Sequence, residues 1–406
     1  MVKKRIPIAL FGDVTALKMQ SIPRHLPPVF ADDYQRACAF LLAYQKNPTT
    51  FNVYRSYIEQ YAQWCWFVTE RSFKEINRDD FEAYLQFYQK PPTHWIGKKT
   101  VAKFQWQAGQ FIPNPNWRPF VAKLSKAAHA EGRPLRASTY APSDEAFKLL
   151  FAVLHSFYKQ LLQTGYAQTN VVDLIKQKNQ YYRKQQGSAK VRRMSAMQWE
   201  VIMEVVEKMA TENPKKHERT LFIISLLYGL YLRVSELAAN ASWTPQMNHF
   251  EKDYEDNWWF RTVGKGNKER TIAVSDAVLK TLRRWRNFLG TLTPLPTPTD
   301  NSPLVCGRSI DTPIRSTRQL RNIVQHAFDE AVTQLENESF IEQALELKAA
   351  TVHWLRHTGI SDDVKIRPRE HVRDDAGHSS SLITDRYIDV DSRERHKSAK
   401  NKLINN

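Results

Sequence analysis

The sequence has few cysteines and no long apolar run. Cys38, Cys65 and Cys306 are the three cysteines among 406 residues, and they lie far apart without a Cys-x-x-Cys pair. This spacing argues against a disulfide framework or a cysteine-based zinc site, and it predicts buried thiols in a reducing compartment. No run reaches the roughly 18 apolar residues that a membrane span needs, so we expect no transmembrane helix and no membrane partner.

Other common signatures are also missing. We find no internal repeat, no low-complexity tract, no glycine-rich phosphate loop of the P-loop kind and no cluster of residues with metal-ligand spacing. These absences argue against a nucleotide-driven enzyme and against a metal-dependent one. We therefore expect no cofactor and no metal ion.

The chain does have an excess of positive charge. Its 59 Lys and Arg against 42 Asp and Glu give a formal net charge of +17. Such a balance favours a polyanionic partner such as nucleic acid, because the summed field attracts phosphates over long distances. A scattered basic surface on an ordinary soluble protein is the alternative, and charge alone does not decide between the two.

Three short motifs in the C-terminal half suggest a specific chemistry. The first is Leu232-Arg233-Val234-Ser235-Glu236-Leu237, the second is His353-Trp354-Leu355-Arg356-His357-Thr358, and the third is Gly377-His378, nine residues before Tyr387. Two arginines can hold one phosphate through paired hydrogen bonds, histidines can exchange protons with it, and a phenol can attack phosphorus. Each motif alone is common by chance, but together and in this order they are not.

Between the first two motifs, two alternating apolar runs flank a Gly/Asn turn at residues 258–274. This pattern predicts a β-hairpin. Its Gly264-Lys265-Gly266-Asn267-Lys268 stretch, with Arg270 beyond it, resembles the lysine-bearing hairpin of the tyrosine recombinase (phage integrase) family. The ordered Arg, His, Arg, His and Tyr resemble the catalytic set of the same family.

The resemblance implies a role for each matching residue. Arg233 and Arg356 would hold the scissile phosphate, and Tyr387 would be the nucleophile that forms a phosphotyrosyl 3′ end. His353 would accept or relay the proton of the phenol, whose ordinary pKa is near 10. Two further catalytic residues are implied, namely Lys265 as the acid for the departing 5′ oxygen and His378 as support for transition-state charge.

Alternatives stay open at several of these positions. Arg233 could simply pair with Glu236, and Lys268 is a rival for Lys265. Tyr231 stands where the family often has a small residue, two positions before the first arginine. Four further basic residues form either a DNA-facing or a solvated surface, and the sequence does not choose between the two. They are Lys365, Arg367, Arg369 and Arg373.

The resemblance also implies a mainly α fold with a small β-hairpin or sheet, in which two lobes form a C-shaped clamp on duplex DNA. One lobe is a helical core-binding domain and the other a mixed α/β tyrosine recombinase catalytic domain. We predict these parts: an N-terminal segment at 1–30, a helical (SAM-like) DNA-binding domain at 31–177, a linker at 178–193 and the catalytic domain at 194–406.

The first domain is interrupted at about 91–142 by a basic, proline-rich insertion that contains three tryptophans. Two interpretations have equal weight: an added DNA-contacting element, or a surface insertion with a few aromatic anchors. Basic residues in the insertion, the linker and the hairpin give the candidates for DNA contacts: Lys98, Lys99, Lys103, Arg192, Arg193, Lys268 and Arg270.

The implied function is site-specific DNA recombination through a 3′-phosphotyrosyl intermediate and a Holliday junction, by an integrase or resolvase of a mobile genetic element. The expected partners are a double-stranded DNA recombination site, three further copies of the chain in a tetramer on synapsed DNA, and a directionality factor as a further candidate. We expect a bacterial cytoplasmic protein associated with the nucleoid. The alternatives are a DNA-relaxing enzyme of the type IB topoisomerase kind and a catalytically inactive DNA-binding protein.

Overall fold

The computed structural model describes residues 5–19, 21–107, 110–124, 132–176, 193–264, 266, 268–307, 309–378, 384 and 400. The chain divides into two compact units, Met1–Gln186 and Gly187–Asn406. The predicted fold class, mainly helical with small sheets, is confirmed in both units. In the described residues, no helix is both long and apolar enough to cross a membrane.

Unit 1 is a helical unit with an aromatic core. Its helices begin where side chains can accept from free backbone N–H groups: the Asn47 side chain accepts from Thr50 N at 3.1 Å, and Ser143 caps a later helix in the same way. Ile58 and Tyr61 lie three residues apart on one face of α3, and both are fully buried. The helices are α1 Val14–Lys18, α2 Ala31–Leu42, α3 Pro48–Trp64, α4 Arg78–Gln89, α5 Asp144–Gln163 and α6 Val171–Lys176.

In its described residues, the insertion of unit 1 has four short strands. β1 Ile96–Gly97 pairs in parallel with β4 Phe120–Val121, and β2 Phe104–Gln107 pairs with β3 Gln110–Pro113 in an antiparallel hairpin. Trp95 and Phe120 are buried in the unit 1 core, whereas Trp106 on the hairpin is 74% exposed. The insertion is therefore anchored at its base and presents its hairpin to solvent.

In unit 2, most of the helices pack around a large apolar core. Ser195 caps the first helix of the unit: its hydroxyl accepts from Gln198 N at 3.2 Å, and Gln198 Oε1 accepts from Ser195 N at 2.9 Å. The helices are α7 Ala196–Glu212, α8 Pro214–Gly229, α9 Asp276–Phe288, α10 Thr317–Asn337, α11 Ile341–Lys348, α12 Val352–Asp363 and α13 Arg369–Ala376.

Unit 2 also has a three-stranded antiparallel sheet. Its strands are β5 Phe250–Lys252, β6 Trp258–Val263 and β7 Glu269–Ala273, in the order β5-β6-β7. The predicted hairpin is confirmed: Phe260 pairs with Ile272, and both are fully buried. Val263 pairs with Glu269, so the turn between β6 and β7 carries the lysine-bearing stretch.

Candidate active site

The site begins at the end of α8, where the chain leaves the helix and enters a short 3-10 turn at Val234–Glu236. Arg233 precedes that turn, and its backbone N donates to Glu236 Oε2 at 2.9 Å. The Arg233 side chain donates from Nη1 to Glu236 Oε1 at 3.0 Å. Glu236, three residues on, thus accepts from both the backbone and the side chain of Arg233, which fixes the direction of the first arginine.

A second arginine reaches the same carboxylate from the hairpin. Arg270 donates from Nη1 and Nη2 to the two Glu236 oxygens, each at 2.8 Å, and from Nε to the Asp375 carbonyl at 3.0 Å. Burial alone would raise the pKa of Glu236, but the hydrogen bonds and charges of Arg270 and Arg233 outweigh it and lower that pKa. Glu236 is therefore a buried anion shared by two guanidinium groups.

The same contacts bear on the predicted DNA role of Arg270. Its side chain is 9% exposed and donates to Glu236 and to the chain at Asp375. The geometry makes Arg270 a bridge between β7, the Arg233 turn and α13. A direct contact of Arg270 with DNA stays a prediction, and burial argues against it.

The hairpin turn lies directly against this arginine cluster. A Cβ added to Gly264 would lie 3.1 Å from Arg270 Nη1 and 3.4 Å from Arg233 Nη1, so this close approach favours glycine. Lys265 follows Gly264 in sequence but lies outside the described residues. Its rival Lys268 is exposed, and the Lys268 carbonyl accepts from Gly264 N at 2.8 Å.

Helix α12 contributes the second motif. His353 and Arg356 are three residues apart and therefore share a face of the helix. Arg356 is 4% exposed, and its guanidinium donates to the Tyr231 carbonyl and, at 2.5 Å, to the Ala376 carbonyl. Burial, and then the charges of Arg321, Arg356 and Arg233, lower the pKa of His353. His353 is thus neutral at pH 7 and able to accept a proton.

The third motif follows α13. Gly377 ends the helix with φ +65°, and a Cβ there would meet Arg270 Cδ at 2.8 Å, so both conformation and space favour glycine. His378 Nδ1 lies 2.8 Å from Thr384 Oγ1. Burial, followed by the positive charges of Arg356, Arg233 and Arg270, lowers the pKa of His378 to about 4.

The structure therefore brings four predicted catalytic residues into one electrostatic neighbourhood: Arg233, His353, Arg356 and His378. Two neutral imidazoles beside two permanent cations suit the binding of a phosphodiester and the movement of a proton. The predicted nucleophile Tyr387, and Arg192 of the predicted linker, lie outside the described residues. Among those described, no group of three or more His, Cys, Asp or Glu could hold a metal ion.

The remaining DNA-binding candidates differ in exposure. Lys98 and Lys99 are exposed, and Arg193 is half-buried. Lys103 instead points inward: its ammonium pairs with Glu59 at 3.1 Å, and its side chain is 12% exposed. The structure thus gives Lys103 an interior role, and its contact with DNA stays a prediction that this burial disfavours.

Sequence reasoning missed the groups that support Arg356. Arg367, grouped above with a DNA-facing or solvated surface, instead pairs with Asp375 at 2.6 Å and with Asp363 at 3.2 Å. It also donates to the Tyr231 hydroxyl at 3.0 Å. The one sequence signal for these groups is Tyr231, which stands where the family often has a small residue.

The site thus combines the partly exposed Arg233, the buried Arg356 and two neutral histidines on one helical unit and its small sheet. Such a set of groups is suited to binding a phosphodiester. Residues 192–394 match the sequence profile of the phage integrase family, which is half of the chain. The chain belongs to this family.

One similar protein is the tyrosine recombinase XerC of Corynebacterium glutamicum. It is 30% identical over 192 residues, which are 46% of this chain and 52% of that protein. The chain thus spans about half the length of the curated relative that it matches.

Solved structures extend the likeness to nearly the whole chain. XerH recombinase, bound to a palindromic difH substrate after cleavage, gives a TM-score of 0.55 at 12% identity, covering 96% of this chain and 93% of that one. A lambda integrase tetramer bound to a Holliday junction gives 0.51 at 12% identity, covering 97% and 86%. At such low identity these likenesses establish the fold alone.

Proposed function

We propose that this protein is a tyrosine-type site-specific recombinase that cleaves and religates DNA through a 3′-phosphotyrosyl intermediate on Tyr387. The observation that carries the proposal is the convergence of Arg233 and Arg356 with the neutral imidazoles of His353 and His378. Family membership and the position of Tyr387, nine residues after His378, support the same chemistry.

The proposed first step breaks one bond and forms another. The Tyr387 oxygen attacks phosphorus, its proton passes to His353, and the bond from phosphorus to the 5′ oxygen breaks. Lys265 donates a proton to that leaving oxygen. Charge that builds on the non-bridging oxygens is stabilised by Arg233 and Arg356, whose guanidinium groups keep their protons throughout.

The second step reverses the first on a different strand. A 5′ hydroxyl attacks the phosphotyrosine and releases Tyr387, and because one phosphodiester replaces another, no nucleotide is consumed. We propose that four copies on two synapsed DNA sites exchange strands through a Holliday junction. The lambda integrase tetramer bound to such a junction supports this by likeness of fold.

The biological setting belongs to the same proposal. We propose that the protein acts on the nucleoid of a bacterium, as the integrase or resolvase of a mobile genetic element, with a directionality factor as a further partner. The basic charge of +17 supports a DNA substrate. Footprinting on the DNA that flanks its own gene would identify the recombination site.

The decisive test is covalent adduct formation on a nicked duplex that carries the footprinted site. Tyr387→Phe should keep DNA binding and abolish the denaturant-resistant adduct, because the variant lacks only the nucleophilic oxygen. Tyr254→Phe is the matched control, since Tyr254 is 95% exposed on the turn before β6, and it should form adduct normally. An adduct that survives in Tyr387→Phe would contradict the assignment.

Two alternatives give different products in the same assay. An inactive DNA-binding protein would give no adduct even in the wild type. A topoisomerase-like enzyme would relax a supercoiled plasmid without joining two sites, whereas a recombinase gives junctions between two labelled sites.

The choice of Lys265 as the acid has its own test. Lys265→Ala should lose cleavage on ordinary DNA and regain it on DNA with a 5′-bridging phosphorothiolate, whose sulfur departs without a proton. If Lys268→Ala is the variant so rescued, Lys268 is the acid.

A further inference from the structure

Tyr231 has an unusual backbone for its residue type. Its φ is +49°, in the left-handed region that disfavours residues with a Cβ, and its side chain is buried with 1% exposure. It lies between α8 and Arg233, where the chain must turn sharply. A conformation of this kind persists only when its surroundings hold it in place.

Polar contacts from α12 and the segment after it hold the Tyr231 side chain. The phenol donates to Asp363 Oδ2, and Arg367 Nη1 donates to the phenol oxygen at 3.0 Å. Arg367 also pairs with Asp375 of α13 at 2.6 Å. We call Tyr231, Asp363, Arg367 and Asp375 the Tyr231 cluster.

Gly359 leaves room for the ring of Tyr231. A Cβ at Gly359 would lie 3.2 Å from Tyr231 Cδ1 and 2.2 Å from the Tyr228 carbonyl, so α12 can approach α8 this closely only at a glycine. Ile360, Val372 and Ala376 complete a small apolar cluster around the same ring. Packing and ion pairing thus hold one conformation of the turn.

The Tyr231 cluster bears directly on Arg356. The Tyr231 carbonyl, aimed by the left-handed turn, accepts from Arg356 Nη1, and the Ala376 carbonyl accepts from Nη2 at 2.5 Å. Asp375, next to Ala376, also accepts from Ala273 N of the hairpin at 3.2 Å. Both carbonyls that orient the guanidinium therefore belong to segments that the cluster holds.

We propose that the Tyr231 cluster orients the Arg356 guanidinium for the scissile phosphate. The Tyr231 hydroxyl is its central group, because it bonds with both Asp363 and Arg367. The proposal rests on the function proposed above and assigns no catalytic contact to Tyr231 itself. A misdirected guanidinium would weaken stabilisation of the transition state more than binding of the DNA, because many other contacts to phosphates remain.

The test compares two phenols that bridge the same two helical segments. Tyr231→Phe removes the bond to Asp363, and Tyr228→Phe removes a similar bond from Tyr228 Oη to Asp362 at 3.1 Å. Tyr228 lies within α8, before the strained turn, which makes it a matched control. Asp363→Asn is a second variant that perturbs the same bond from the other side.

The first readout is the single-turnover rate of adduct formation at saturating DNA, on protein shown to be folded by circular dichroism. Tyr231→Phe and Asp363→Asn should lower the rate roughly 10- to 100-fold, as expected for a misplaced catalytic group, with the dissociation constant for DNA little changed. Tyr228→Phe should keep the wild-type rate. In an Arg356→Lys background, Tyr231→Phe should add little, because both changes affect one interaction.

The second readout does not depend on DNA chemistry. The nitrogen-15 side-chain resonance of Arg356, assigned by its loss in Arg356→Lys, should show restricted guanidinium rotation in the wild type and in Tyr228→Phe, and faster rotation in Tyr231→Phe. A wild type without adduct would refute the proposed function, while this readout would still decide the role of the cluster. Unchanged rotation in Tyr231→Phe, or an unchanged single-turnover rate where the wild type is active, overturns the proposal.

Discussion

Glu59 in unit 1 and Glu236 in unit 2 are both buried glutamates, with exposures of 0% and 1%. Glu59 accepts from the backbone N of Leu10 and Phe11, at 2.9 and 3.1 Å, and from the Lys103 ammonium at 3.1 Å. These three donors come from the N-terminal segment and the insertion, and a fourth, Gln63 Nε2 at 3.2 Å, lies on α3 itself. Glu59 thus joins distant parts of unit 1 to α3.

Glu236 accepts instead from arginines. Arg270 uses two nitrogens on it, and Arg233 uses one side-chain nitrogen while 28% of its side chain remains exposed. Because a guanidinium has five N–H donors in a fixed plane, it can pair with a buried carboxylate and still present donors elsewhere. Both units therefore bury a carboxylate, and the type of its partners distinguishes the two roles. Glu59 holds separate segments of unit 1 together, whereas Glu236 orients the side chains of two arginines.

The largest expected effect comes from removing the oriented arginine. Arg233→Ala should slow adduct formation by roughly 100- to 1,000-fold or more, the range seen when one transition-state donor is lost. DNA affinity should change little, because other phosphate contacts remain. Arg261→Ala is the control, since Arg261 lies on β6 and pairs with the surface acids Glu251 and Glu269. Equal rates for the two variants would remove Arg233 from the site.

Exchanging each glutamate for glutamine tests directly whether the two carboxylates have different roles. Glu59→Gln should destabilise unit 1 by about 3–5 kcal/mol, because one partner of a buried ion pair is lost. Hydrogen exchange resolved by peptide should show the loss around α3 and the N-terminal segment, with cleavage by folded protein retained. Glu236→Gln should slow cleavage instead, because Arg233 loses its anchor. If both variants lower the stability and neither slows cleavage, the two carboxylates do not differ in role.

The buried His249 of unit 2 should make the stability of the protein depend on pH, because burial favours its neutral form. Burial is the main cause that lowers the pKa of His249, which accepts from Gln246 N at 3.1 Å, to about 4. The unfolded value is near 6.5, so the unfolded state binds more protons between these values and stability must fall as pH falls through this window. His249→Asn should flatten the decline of the melting temperature between pH 6.5 and 4.5. A decline as steep as in the wild type would contradict the neutral form.

The smallest effect concerns the insertion. If Lys98 and Lys99 grip DNA, replacing both with Ala should make the dependence of affinity on salt shallower by up to about 0.9 units of slope for each lost phosphate contact. Lys103→Ala should instead lower the stability of unit 1 and leave that slope unchanged, because its ammonium faces Glu59. A change in slope with Lys103 alone would mean that this lysine leaves Glu59 to meet DNA.

Local pattern was enough to predict much of the molecule. Alternation around a Gly/Asn turn predicted the β6–β7 hairpin, because a hairpin depends on neighbours within a few residues. Family motifs placed Arg233, His353, Arg356 and His378, which the structure brings into one neighbourhood. The roles of Lys265 and Tyr387 rest on the motifs, because both residues lie outside the described part of the chain.

Sequence by itself determined the hairpin and the order of the motifs, because turn chemistry and short-range alternation encode a hairpin. The mainly helical class followed from the family resemblance that those motifs carry. Tertiary structure alone decided which basic residues point inward and which side chain holds the turn before Arg233. Lys103 meets Glu59 across 44 positions, Arg270 meets Glu236 across 34, and Tyr231 meets Asp363 across 132. The sequence around a lysine or arginine does not show whether its side chain lies on the surface or in the interior. Only the packing of distant segments places a carboxylate within its reach.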